Sequence, residues 1–253
     1  MYPQPPLLIL SQITDDFDLA QLPWCESARD KVTLNRAKFR NLEMVEIIVD
    51  AMPFVLTRRT ADETREILAG DTFDLLFGDQ PPPGNSAIGV APGDNLADAT
   101  RIPEVHQRLL LLGKWIGESL NATAAAWMPA RKLASFAWFT NAVDQYLADG
   151  RFPLPFHISF SEIYAGQIAT QGLRYFTGQE IHLTVPPHYA PDEIGDRVAQ
   201  IAADIVAHGR IDRPSRSQDV TREETLIYTP TENLEQVNIL IRRDAPNGIA
   251  AER

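Results

Sequence analysis

Residues 157–185 of the chain read HISFSEIYAGQIATQGLRYFTGQEIHLTV, and this stretch decides the fold. Polar and apolar residues alternate along 180–185, so that Ile181, Leu183 and Val185 share one face of a strand. Alternation of this kind is typical of a strand with one buried and one solvated face. The stretch predicts three successive strands.

Helices and strands are interspersed on both sides of this stretch. The apolar, charged and capping residues predict helices at 27–39, 60–70, 103–120, 136–149 and 191–208. Thr60 and Glu63 form a capping box at the start of the second, and Ser135 and Gly150 mark the two ends of the fourth. Further strands are predicted at 7–12, 44–52, 87–91, 124–128, 225–229 and 236–241, and Pro53 is expected to end the pairing of the second. This order predicts an α+β fold, with helices packed on one face of a mixed, largely antiparallel sheet.

The chain length allows one large domain or two fused half-domains, because 253 residues lie near the upper limit for a single core. Pro, Gly, Asn and Asp dominate the connection 79–101, which is where a junction between half-domains would fall. We expect one α+β domain over 1–242, followed by a flexible tail at 243–253.

The composition is that of a globular protein with an acidic balance. Apolar residues make up 44% of the chain, and the formal net charge is −11. A negative charge of this size repels nucleic acid at long range and attracts a basic protein partner. The favoured alternative is that the charge only keeps the protein soluble. We therefore expect no nucleic-acid function.

Cys25 is the only cysteine, so an intramolecular disulfide and a multi-cysteine zinc site are both excluded. Residues 1–18 lack a basic segment followed by a long apolar run, and no stretch has the roughly 20 apolar residues that span a bilayer. These features predict a cytoplasmic protein with no membrane partner.

Several short segments carry a resemblance to a known family. They are AMP at 51–53, TAAAWMPARKLAS at 123–135, PLPFHISF at 153–160, TQGL at 170–173 and QEIHL at 179–183. Together they resemble the bacterial domain-of-unknown-function family numbered 4261, over about 7–241. That family has no established activity, so the resemblance implies no site residues.

The chain departs from that family after AMP, where Phe54 stands in place of the usual second proline. The AMP loop is therefore not expected to be a shared functional site. The segments at 170–173 and 179–183 are also similar to the suppressor-of-fused-like group, which implies a binding fold by analogy.

Glu180 and His182 lie two residues apart on one predicted strand, so their side chains share a face, and Arg174 on the preceding strand is expected opposite them. A carboxylate beside an imidazole suits a general base, and with His188 folded back it suits a metal site. The favoured alternative is a solvated outer face with a cross-strand ion pair. The catalytic candidates are thus Glu180, His182 and Arg174, and the metal candidates are Glu180, His182 and His188.

Cys25 is a further catalytic candidate, because it precedes a predicted helix and helix N-termini stabilise thiolates. The favoured alternative is a small buried apolar side chain. His106 and His157 lie in apolar segments, so we interpret them as structural histidines. Nucleophile-elbow, phosphate-loop and dinucleotide-binding motifs are absent from the sequence, and no cofactor is expected.

These observations favour a non-enzymatic binding or interaction domain, of the immunity or secretion-accessory type, that recognises a basic protein. The alternative is a small-molecule enzyme of hydrolase type that uses Glu180, His182 or Cys25 without a known motif. A third possibility is a structural subunit that self-associates through a strand edge at 236–241. The oligomeric state is left open.

Overall fold

The computed structural model describes residues 4–35, 44–70, 73–76, 84–99, 101–187, 189–219 and 222–243. Contacts within the chain divide it into two compact units, Met1–Ser159 and Phe160–Arg253, which we call the N-terminal and C-terminal units. The boundary falls after Ser159 and not within the connection 79–101. The fold is α+β, as expected, but it contains two largely antiparallel sheets instead of one.

The N-terminal unit is built on an eight-stranded sheet with the order β2-β3-β4-β6-β1-β7-β8-β5. Its strands are β1 (Leu7–Ser11), β2 (Val32–Asn35), β3 (Met44–Val49), β4 (Met52–Arg59), β5 (Asp74–Leu76), β6 (Ser86–Pro92), β7 (Ala124–Trp127) and β8 (Lys132–Ser135). Neighbouring strands are antiparallel except β5 and β8. All five residues of β1 are buried, which agrees with its place inside the sheet.

Among its described residues are four α-helices: α1 (Ala61–Gly70), α2 (Pro103–Leu120), α3 (Phe136–Asp149) and α4 (Leu154–His157). The predicted capping box of α1 is confirmed, because the Thr60 N–H donates to Glu63 Oε2 (2.8 Å) and the Glu63 N–H donates to Thr60 Oγ1 (3.2 Å). The predicted cap of α3 is confirmed as well, since the Trp138 N–H donates to the hydroxyl of Ser135.

The helix predicted at 27–39 is wrong. Residues 32–35 form β2, an outer strand that pairs with β3, and 36–39 lie outside the described residues. Val32 and Thr33 are β-branched and favour a strand, and the neighbouring charged side chains belong to a solvated edge.

The strand predicted at 44–52 is in fact a hairpin, with β3 and β4 joined by Asp50 and Ala51. Both of these residues have left-handed backbone angles, with φ of 49° and 63°. Pro53 does not end the pairing, because it lies inside β4 opposite Ile48. In a two-residue hairpin the position after the closing pair makes no ladder hydrogen bond, so the missing N–H of Pro53 is tolerated there.

The C-terminal unit has a six-stranded sheet with the order β12-β13-β14-β11-β10-β9. Its strands are β9 (Ser159–Tyr164), β10 (Gln167–Gln171), β11 (Glu180–Thr184), β12 (Ser215–Asp219), β13 (Glu224–Pro230) and β14 (Gln236–Arg243). Its helices are α5 (Arg174–Thr177) and α6 (Pro191–His208). At the centre of the sheet β11 and β14 run parallel, whereas β10–β11, β12–β13 and β13–β14 are antiparallel.

The three strands predicted from 157–185 are β9, β10 and β11, with α5 inserted before the third. Ile181, Leu183 and Val185 are buried as the alternation predicts. The idea that 236–241 forms a free strand edge is wrong, because β14 has β13 on one side and β11 on the other. The parallel pairing of β14 with β11 could not be predicted from the alternation of polar and apolar residues in either strand.

Helix α6 covers the buried face of this sheet. The guanidinium of Arg197 on α6 lies 3.0 Å from the carboxylate of Glu224, which is buried on the same face as Leu226. The opposite face, which carries His182 and Leu240, is the outer face of the C-terminal sheet. Of the predicted tail, Arg243 belongs to β14 and 244–253 lie outside the described residues. None of the helices in the described ranges has the length and apolarity of a membrane span.

Candidate functional site: a polar cleft in the C-terminal unit

A polar cleft of about 650 Å³ opens where β10, β11 and the β13–β14 loop meet. Its lining residues are Thr170, Arg174, Glu180, His182, Thr231, Glu232, Asn233, Glu235 and Gln236. The cleft therefore unites Arg174, Glu180 and His182, three of the four catalytic candidates. The volume lies within the range of small-ligand sites in proteins, but the lining is polar rather than apolar.

The carboxylate of Glu180 is occupied by three donors from the protein. Its Oε1 accepts the backbone N–H groups of Gly172 (2.9 Å) and Arg174 (3.1 Å), and its Oε2 accepts the hydroxyl of Thr170 (2.7 Å). The Thr170 oxygen accepts in turn the N–H of Ile181 (2.8 Å). Glu180 thus fixes the turn that leads from β10 into α5, which is a structural role.

The sequence placed Arg174 on the preceding strand, and this prediction is wrong, because Arg174 lies at the start of α5. The glycine at 172 has φ of 101°, and the chain turns there, so Arg174 reaches the cleft from its rim. Its guanidinium pairs with the carboxylate of Glu235 at 3.2 Å and not with that of Glu180. Both partners of this ion pair are more than half exposed, so the pair orients side chains more than it stabilises the fold.

The β13–β14 loop supplies the other wall of the cleft and was missed in the sequence. The Thr231 N–H donates to the carbonyl of Gln236 (2.9 Å), and the Gln236 N–H donates to the Thr231 hydroxyl (3.2 Å). The Glu180 N–H donates to the carbonyl of Glu235 (3.0 Å), which joins this loop to β11. The run TENLEQ at 231–236 is a visible turn signal, but its position beside β11 depends on the parallel pairing.

His182 lies on the outer face between Ala169 of β10 and Asn238 of β14. Within the described part of the chain its imidazole has no hydrogen-bond partner. The proposed third metal ligand, His188, lies outside the described residues, and no cluster of three or more His, Cys, Asp or Glu side chains occurs among those that are described. Because Glu180 already accepts three hydrogen bonds, the pair Glu180 and His182 is not a prepared metal site.

Cys25 lies in the N-terminal unit and is not part of the cleft. Residues 26–31 form turns and β2 begins at Val32, so within the described residues no helix begins directly after Cys25, and the argument for a thiolate at a helix N-terminus does not hold. The thiol is partly exposed, with Sγ 3.3 Å from the hydroxyl of Ser27 and 3.6 Å from a carboxylate oxygen of Glu118.

His106 and His157 form a buried pair in the N-terminal unit, and their Nε2 atoms lie 3.0 Å apart. Nδ1 of His157 donates to the carbonyl of Pro153 (2.8 Å), so its Nε2 is the acceptor and His106 is the donor. Burial lowers the pKa of His157 to about 3, and burial and the neighbouring ring hold the pKa of His106 well below its ordinary value. The rings contact Trp127 and Phe152, as structural histidines do.

The charge of the cleft follows from its lining. Glu180, Glu232 and Glu235 contribute three carboxylates, and Arg174 contributes the one guanidinium among the lining residues. Glu232 is exposed and makes no hydrogen bond or ion pair within the described ranges. The cleft is therefore electronegative, and the carboxylate of Glu232 at its rim has no partner among the described residues. Such a cleft is suited to bind a cation.

Comparison with known proteins adds no relative to this picture. No family model matches the chain, and neither a curated protein nor a solved structure is significantly similar to it. The resemblance to family 4261 therefore stays a prediction.

Proposed function

We propose that this chain is a non-enzymatic binding domain, and that the cleft of the C-terminal unit receives a basic side chain of a protein partner. The observation that carries the proposal is the lining charge, three carboxylates against one guanidinium. A lysine or arginine that enters the cleft forms an ion pair with Glu232 and shares the carboxylate of Glu235 with Arg174. The net charge of −11 adds long-range attraction for a basic protein.

The bonding of Glu180 supports a binding role over acid–base chemistry. A general base needs a free acceptor within hydrogen-bond reach of the proton that it removes. The oxygens of Glu180 accept from Gly172, Arg174 and Thr170, and a substrate would have to displace these internal donors.

A basic toxin or secreted protein is the class of partner that we expect, so the domain would act as an immunity or secretion-accessory protein in the cytoplasm. The single cysteine, which cannot form an intramolecular disulfide, is compatible with a reducing compartment. Fractionation of the native host tests the location. Affinity purification from that host, followed by mass spectrometry, identifies the partner.

A direct test uses a fluorescein-labelled peptide that contains several lysines, measured by fluorescence anisotropy at low ionic strength. The double variant Glu232→Gln/Glu235→Gln should bind at least about tenfold more weakly, because it removes two carboxylates from the cleft. The matched control Asp204→Asn/Asp212→Asn removes the same charge from exposed positions of the same unit. Equal loss in both variants would mean that only the net charge matters, and no loss in either would contradict the proposal.

The second candidate function is a small-molecule hydrolase, which is favoured by the presence of His182 and Arg174 in one cleft of about 650 Å³. In that case His182 would act as the base and Arg174 would orient an anionic substrate. A panel of ester, amide and phosphate substrates, tested on the protein and on His182→Ala, separates the two functions. Turnover that is lost in His182→Ala supports the enzyme.

A further inference from the structure

We infer that the binding surface extends from the cleft along the outer face of the C-terminal sheet, and that its occupant is an extended segment with a basic, an apolar and an acidic residue in that order. The inference rests on the proposed function, because it assigns the basic residue to the cleft. Its further parts come from the register of β12, β13 and β14 around Leu240.

The register places an apolar pair on this face. Leu240 of β14 pairs with Ile227 of the neighbouring strand, so both side chains lie on the outer face. Leu240 is 41% exposed, while its neighbours Ile239 and Ile241 are buried on the other face. Leu240 is thus a large apolar side chain that is exposed to solvent on a strand with neighbours on both sides, not on an edge strand.

Two arginines border this apolar pair, one farther along β14 and one beside it on β12. Arg242 follows Leu240 by two residues on the same face, and Arg216 of β12 pairs with Ile227. Both arginines are exposed, and within the described residues neither forms a hydrogen bond or an ion pair. The face is therefore acidic at the cleft, apolar in the middle and basic at the far end.

Strand geometry converts this order into a spacing. Gln236 lines the cleft, and Leu240 and Arg242 follow it on the same strand and the same face. At about 3.3 Å per residue along β14, the apolar pair lies roughly 13 Å from the cleft and Arg242 roughly 20 Å from it. An extended partner segment matches these distances with its basic, apolar and acidic residues at positions i, i+4 and i+6.

Two fluorescein-labelled peptides test the order. The first carries lysine at i, leucine at i+4 and glutamate at i+6, separated by serine and threonine, and the second exchanges the leucine and the glutamate. Anisotropy titrations should show that the protein prefers the first peptide by about tenfold. Equal binding of the two peptides overturns the inference.

Three variants locate the contacts on the protein. Leu240→Thr and Arg216→Gln/Arg242→Gln should each weaken binding of the first peptide by about fivefold or more. Ile102→Thr, which changes an exposed apolar residue of the N-terminal unit, should bind as the unchanged protein does. Urea midpoints of all variants establish that they are folded.

The outcomes distinguish this inference from the proposed function. If Glu232→Gln/Glu235→Gln loses binding while the Leu240 and arginine variants keep it, the cleft binds a basic group and the extension along the face is wrong. If the unchanged protein binds neither peptide, and also fails to bind the lysine peptide, the proposed function itself fails. Weaker binding of the first peptide by the cleft variant, the Leu240 variant and the arginine variant, with Ile102→Thr unchanged, supports both.

Discussion

The Nε2 atoms of His106 and His157 lie 3.0 Å apart in the buried core of the N-terminal unit, and one neutral ring donates to the other. A proton added to the acceptor of this pair, Nε2 of His157, would place two N–H groups against each other, away from water. The pair is therefore stable only while both rings are neutral.

This arrangement predicts acid sensitivity. The folded pKa of His157 is about 3 and that of His106 is also lowered, whereas both titrate near 6.5 when unfolded. The unfolded state thus binds more protons as the pH falls. The free energy of unfolding therefore has its full value, with respect to these histidines, above about pH 6.5 and decreases at lower pH. Each histidine contributes up to about 1.4 kcal/mol per pH unit in that range.

Urea denaturation at pH 7, 6 and 5 measures this slope. The variant His106→Leu/His157→Leu should have a shallower slope than the unchanged protein, whatever its absolute stability. The control His208→Asn replaces an exposed histidine and should keep the original slope. Identical slopes in all three proteins would contradict the role of the buried pair.

Glu180 should matter for stability more than its polar, partly open position suggests. Removal of its carboxylate in Glu180→Ala leaves the N–H groups of Gly172 and Arg174 and the hydroxyl of Thr170 without their acceptor. We expect a loss of about 2 kcal/mol in the free energy of unfolding. Glu235→Ala, in the same cleft, should change it by less than about 0.5 kcal/mol, because its ion pair is exposed. Chemical denaturation followed by circular dichroism compares the two.

The ion-pair cluster under α6 should show strong coupling. Arg197 lies 2.9 Å from the carboxylate of Asp219 and 3.0 Å from that of Glu224, and the side chains of Arg197 and Glu224 are almost fully buried. Arg197→Met should cost about 3 kcal/mol, since it leaves the buried carboxylate of Glu224 without its cation. Glu224→Leu should cost less, because Arg197 keeps its ion pair with Asp219. The double variant should cost less than the sum by at least about 1 kcal/mol in a double-mutant cycle. Additive losses would mean that the pair contributes nothing specific.

Two glycines within helices should respond oppositely to the same change. A Cβ at Gly113 of α2 would lie 2.5 Å from Cδ2 of Leu7, which is fully buried in β1, so Gly113→Ala should destabilise by about 1–3 kcal/mol. A Cβ at Gly195 of α6 would meet nothing within 4 Å, so Gly195→Ala should stabilise by about 0.5–1 kcal/mol. Thermal denaturation of the two variants measures both signs, and a stabilised Gly113→Ala would contradict the close packing of α2 on β1.

Local patterns predicted those elements whose burial follows a simple period. The alternation at 180–185 predicted the buried side of β11, and the serine and glycine that flank α3 predicted its ends. Prediction failed where local preference and tertiary pairing disagree. The segment 27–39 has the charged positions of an exposed helix, but the part at 32–35 pairs with β3.

The candidate site was predictable only in part, for a related reason. Glu180 and His182 share a face because they are two residues apart on a strand, and this spacing is local information. The loop at 231–236 reaches them through the parallel pairing of β11 with β14, which is not encoded in any short segment. Two of the three donors to Glu180 are backbone N–H groups that the turn at Gly172 positions, so the sequence alone did not indicate that this carboxylate is already hydrogen-bonded.

The parallel pairing of β11 with β14 also determines when the C-terminal unit can be completed. Helix α6 and the β12–β13 hairpin separate these strands in the chain. During synthesis β11 therefore cannot pair with β14 until nearly all of the unit has left the ribosome. Loop closure over such a distance is slow. Until β14 pairs with it, β11 exposes unpaired backbone groups along one edge and apolar side chains on one face. Chains that stall or are cleaved before β14 are therefore the species most exposed to aggregation and most dependent on chaperones.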